Sequence, residues 1–137
     1  MIEKIEWHGE ALALIIRAGF DQEGVNFVTP DDSPLQLGIL RHPRGFSIKP
    51  HVHRASRKTI HSIQEVLHVE CGSLRVDFYD DDGERIQSVV LKMKDTILLI
   101  AGGHGFEMLE DCKIIEVKQG PYEGAAQDKR RLETGGG

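Results

Sequence analysis

The chain is predicted to be all-β, an antiparallel sandwich or barrel, and three observations carry that prediction. Segments rich in Val, Ile and Leu run for four to nine residues and then stop, which is strand length. Fifteen glycines are dispersed between them, as many tight turns require. No helical segment of about ten residues or more separates the strands, as a doubly wound α/β fold would need. With 39% hydrophobic but only 6% aromatic residues, the core is to be built from Ile, Leu and Val.

In chain order, residues 11–17 (ALALIIR) form the first expected strand, and a turn at 21–24 leads to a short one at 25–28. PDDSP at 30–34 is loop, 35–41 a strand, PRG at 43–45 a turn and 46–53 a strand. Residues 54–60 are mostly polar or basic and read as loop. Strands at 62–70 and 74–79 flank a turn at 71–73, and DDDG at 80–83 is the clearest hairpin turn. Strands at 84–92, 96–100, 106–109 and 113–119 follow, with GGHG at 102–105 between the second and third of these. A tail from 120 to 137 contains a weakly helical piece at 125–132. One domain, 1–137, accounts for the length.

Seventeen Lys and Arg against 22 Asp and Glu leave a formal charge of −5. An acidic chain repels phosphate backbones, and no basic stripe interleaves with aromatics, so no nucleic-acid partner is expected. No apolar run approaches the roughly 20 residues of a membrane span. MIEKIEWHGE places acids where a signal peptide carries basic residues. A cytoplasmic location without a membrane partner is the expectation. Cys71 and Cys112 have no CxxC context and read as buried thiols. There is no G-x-S-x-G elbow, P-loop or dinucleotide fingerprint.

The chemistry-bearing residues are histidines. FSIKPHVHR at 46–54 places His51 and His53 at i and i+2, on one face if the segment is a strand. Such a pair can converge on an ion, or can be two surface or hydrogen-bonded histidines. Lys49 shares their parity. Glu65 opens a hydrophobic strand and shares a face with Leu67, Val69 and Cys71, where a carboxylate is costly unless paired or coordinated. His104 lies between glycines, which let backbone approach a ligand closely. Three imidazoles, with or without a carboxylate, suit Zn, Fe, Mn, Ni or Co and leave positions open for water or substrate.

These spacings resemble the cupin family. Gly45, five residues, His51-Val52-His53, and then Glu65, six residues, Gly72 match its first motif. KDTILLIAGGHGFEML resembles the second, with His104 as its histidine. Eleven residues separate His53 from Glu65, more than the family pattern holds, and GGHG lacks the usual proline. The GGHGF turn, EVKQGPY at 116–122 and the pair Asp128-Lys129 also resemble small single-domain bacterial cupins. Sugar-nucleotide and sugar-phosphate isomerase or epimerase cupins are looser resemblances.

The resemblance implies a double-stranded β-helix, the cupin jelly-roll barrel, with its core over 35–119. It implies His51, His53, Glu65 and His104 as ligands of a divalent transition metal; His61, which shares the strand parity of Glu65, competes with it for the fourth place. It also implies a homodimer, for which the 11–17 strand is a candidate interface. Lys49, Arg41, Phe106 and Met108 are the candidate substrate-binding residues, by parity and position. The expected function is a metal-dependent enzyme, isomerase- or epimerase-like or dioxygenase-like, acting on a small polar metabolite such as a sugar or sugar acid. The alternative is a non-catalytic carbohydrate-binding or sensory domain.

Overall fold

A computed structural model describes residues 1–124 and 129–133. Among them ten strands form three sheets. The first sheet has β1 (Ile2–Trp7), β2 (Glu10–Ile16), β8 (Thr96–Leu99), β5 (Glu65–Cys71) and β10 (Lys113–Lys118), in the order β1-β2-β8-β5-β10. The second pairs β3 (Gly24–Phe27) with β4 (Gly38–Arg41). The third places β6 (Leu74–Tyr79) between β7 (Arg85–Leu91) and β9 (Gly103–Met108). All pairings are antiparallel.

The core lies between the first and third sheets. Ile5, Leu12, Ala13, Ile15, Leu67, Val69, Ile97 and Leu99 of the first meet Leu74, Val76, Phe78 and Leu91 of the third in one buried cluster. Alternation explains the division. Leu74, Val76 and Phe78 occupy every second position of β6 and are at most 1% exposed. The intervening Asp77 is also buried, at 5% exposure. It is held by Arg75 Nε at 2.8 Å, by Arg85 Nη2 at 2.8 Å and by the Ser88 hydroxyl at 2.5 Å. These donors, Arg75 first, keep its carboxyl well below the usual range, against burial.

Local chemistry sets the turns. His8 and Gly9 both have positive φ, 51° and 76°, as a two-residue hairpin between β1 and β2 demands. Asp80 Oδ1 accepts the N–H groups of Asp82 and Glu84 at 3.0 and 2.9 Å, closing the DDDG turn before β7.

The all-β expectation agrees with this architecture, but the barrel does not. Each sheet is open, with β1 and β10 as edges of the first and β7 and β9 as edges of the third. The cupin resemblance and its double-stranded β-helix are therefore corrected: the fold is three unclosed sheets. The strand expected at 46–53 is absent, and residues 43–63 are irregular and exposed throughout. Pro50 cannot donate to a ladder, and the polar run that follows has no continuous apolar face to bury. Conversely, β1 is a strand where none is expected. It pairs with β2, so the 11–17 segment lies inside a sheet and not at a free interface. Cys71 is exposed, contrary to expectation, and Cys112 is half-buried with its thiol 3.0 Å from the Ser73 carbonyl. Residues 129–132 are not helical. The rest of the helical piece expected at 125–132, with Asp128, lies outside the described residues. Among the described residues, no helix is long and apolar enough to cross a membrane.

Candidate functional site

The site is built where one end of the first sheet meets one end of the third. Glu65 begins β5, opposite Lys118 of β10 and Leu99 of β8. Because Glu116 pairs with Leu67, the inner face of β10 at this end presents Glu116 and Lys118, while Ile115 and Val117 point outward. The Gln64 N–H donates to Gln119 Oε1 at 2.8 Å, tying the start of β5 to the end of β10. His104 comes from the other sheet. It lies across from Phe78 in the β6–β9 ladder and so shares the inward face of β6.

The two sheets touch through a carboxylate and an imidazole. His104 Nε2 is 3.3 Å from Glu65 Oε1. The contact with His104 holds the Glu65 carboxyl down to about 2, with partial burial opposing. Glu65 in turn shares a hydrogen bond with Glu116, and that bond, then burial, pushes the Glu116 carboxyl up. Two carboxyl groups sharing a hydrogen bond keep one proton between them more readily than none. Of the two, Glu65 gives up its proton at the lower pH and Glu116 holds its proton to the higher one.

This constellation lines a cleft of about 610 Å³, within the size of small-molecule sites. Its wall includes Ile63, Tyr79, Phe106 and the glycine run Gly102, Gly103 and Gly105. Lys129, Arg130, Arg131 and Leu132 border it from the C-terminal segment.

Of the expected metal ligands, the structure brings together Glu65 and His104. His51 and His53 stand on the exposed segment and do not line the cleft. Their rings make an edge contact at 5.2 Å, and His51 Nδ1 lies 2.8 Å from the Lys49 carbonyl. His61 is exposed as well. Among the described residues no three His, Cys, Asp or Glu side chains are placed to hold one ion. The four expected ligands are thus not gathered at one point, and Glu65 and His104 contact each other.

Of the expected substrate residues, Phe106 lines the cleft. Lys49 is on the exposed segment, Arg41 is on β4 paired with Asp21 at 2.5 Å, and Met108 lies outside the lining. Sequence reasoning did not single out Glu116, Tyr79 or the cations of the C-terminal segment as site residues. For Glu116 a signal exists: in KIIEVK the acid sits on the face opposite Ile115 and Val117. No protein-family model, curated protein or solved structure matches the chain.

Proposed function

We propose that the cleft binds a small polar metabolite and moves a proton on it, in the manner of an isomerase or lyase. The observation that carries this reading is the chain of contacts Glu116–Glu65–His104, which joins two sheets inside the cleft. An imidazole beside a fixed carboxylate has a defined orientation, the arrangement in which histidine serves as general base or acid. Glu65 supplies that carboxylate. Glu116, with its carboxyl raised, supplies a proton donor a hydrogen bond away. Glycines along the cleft wall leave room for substrate against backbone.

The test is a side-chain carboxyl titration by ¹³C NMR on the full chain, with Glu65→Gln alongside. In the wild type Glu116 is expected to titrate above the ordinary glutamate range of about 4.3. In Glu65→Gln it should move back toward that range, because the neighbouring negative charge is gone. A Glu116 carboxyl that titrates normally in both proteins overturns the reading. A panel of hydroxy acids, polyols and their phosphates, screened by thermal shift and then for solvent deuterium incorporation, identifies substrates. Saturable binding with no exchange would leave a binding domain and not an enzyme.

A further inference from the structure

The C-terminal segment 129–133 touches the cleft without being part of either sheet. Lys129, Arg130 and Arg131 all line it. Four other guanidinium groups of this protein are paired: Arg17 with Glu3 and Asp95, Arg41 with Asp21, Arg75 and Arg85 with Asp77. Among the described residues, none of these three cations has a carboxylate within ion-pair distance. The acids sharing the cleft are Glu65, Glu116 and Asp81. Glu65 is engaged by His104, and Glu116 shares a hydrogen bond with Glu65, so neither is an ion-pair partner of the three cations.

The segment is seated at this place by packing. Leu132 is half-buried, and its Cδ1 fills the space that a Cβ at Gly103 would take. A Cβ at 103 would force the end of the Leu132 side chain to shift from this position. Tyr79 flanks the same glycines, 3.4 Å from where a Gly103 Cβ would be and 3.6 Å from that of Gly105. Lys129 is near enough for its charge to act on the Glu116 carboxyl.

We infer that Lys129, Arg130 and Arg131 form the receptor for an oxyanion, a carboxylate or phosphate group, on the molecule bound in the cleft, with Leu132 on Gly103 holding the receptor in place. The inference rests on the acid–base reading above and deepens it: the substrate class becomes a small anionic metabolite. Guanidinium groups donate paired, charge-assisted hydrogen bonds to carboxylate or phosphate oxygens, and the glycine run leaves the space between receptor and acid–base groups open.

The experiment titrates inorganic phosphate and, separately, acetate into the ¹⁵N-labelled full chain, following the amides of Gly102, Gly103 and Gly105. Saturable shifts are expected with at least one anion, and the tighter of the two names the group. The variant Lys129→Ala/Arg130→Ala/Arg131→Ala should bind about tenfold more weakly or worse, the loss expected for charge-assisted bonds. Gly103→Ala keeps every charge but displaces Leu132, and should weaken binding as well. No saturable shift with either anion, or equal affinity in the triple variant, overturns the inference. If Glu116 still titrates high and responds to Glu65→Gln when that happens, the acid–base reading stands and only the oxyanion receptor falls.

Discussion

Two regions of this chain use the same apolar residue types to opposite effect. In the sheets, Ile15, Val69, Val76 and Ile97 are wholly buried. In the segment 43–63, Phe46 and Ile48 are 55% and 57% exposed and Val52 is 89% exposed. Both regions alternate apolar and polar residues. The difference lies in what surrounds the alternation. β5 has ladder partners on both sides, in β8 and β10, so its backbone groups are paired while Leu67 and Val69 are buried. The segment has Pro43 and Pro50, five basic residues (Arg44, Lys49, Arg54, Arg57, Lys58) and no acid between 43 and 64. It neither completes a ladder nor neutralises its own charge. Alternation is necessary for a buried strand and not sufficient. Three perturbations test how sharp this contrast is.

The largest expected effect is in the core. Phe78 is 1% exposed at the centre of the third sheet, so Phe78→Ala should destabilise by about 3–5 kcal/mol, read as a lower denaturation midpoint in urea. A loss under 1 kcal/mol would mean that the sheets pack more loosely than described.

The second is electrostatic. Removing the Asp77 carboxylate by Asp77→Asn strips charge-assisted bonds from a buried group and should lower stability by about 2–3 kcal/mol at neutral pH. The pH dependence has a definite sign. The folded-state pKa of Asp77 is depressed, chiefly by Arg75, so its contribution is present above the unfolded value of about 3.9 and disappears as pH falls toward the folded one. Wild type should lose its advantage over Asp77→Asn below about pH 4. A difference between the two proteins that does not change from pH 7 to pH 3 would remove Asp77 from the account.

The smallest effect belongs to the segment. His51→Ala/His53→Ala should leave the melting temperature unchanged and the cleft's anion affinity intact, a change within about 0.5 kcal/mol. Brief trypsin digestion should cut first among Arg44, Arg54, Arg57 and Lys58. A loss of cleft binding in the double variant would show that the segment folds over the cleft and that the two regions are coupled.

Legibility follows the same physics. The strand expected at 74–79 matches β6, and 84–92, 96–100 and 113–119 lie within a residue or so of β7, β8 and β10, because each has its own alternation and a turn at each end. β1 escaped notice since its pattern, IEKIEW, is irregular. Its evidence is the His8-Gly9 hairpin, a backbone conformation and not a hydrophobicity signal. The parity argument put Glu65 on the face of Leu67 and Val69 and asked for a partner. The structure supplies one in His104, 39 residues away, whose imidazole lies against the carboxylate.

By itself, the sequence determined the all-β class, most strand positions and the net negative charge, and it singled out Glu65 as a carboxylate in need of a partner. Those properties follow from local alternation, turn chemistry and the cost of an unpaired carboxylate among aliphatic residues. Tertiary structure alone decided that the sheets stay open, that His51 and His53 stand apart, and that Glu116 and the Lys129-Arg130-Arg131 run reach the same cleft. Each of these depends on which strands find partners and where the chain returns after its last one, and residue spacing does not encode that.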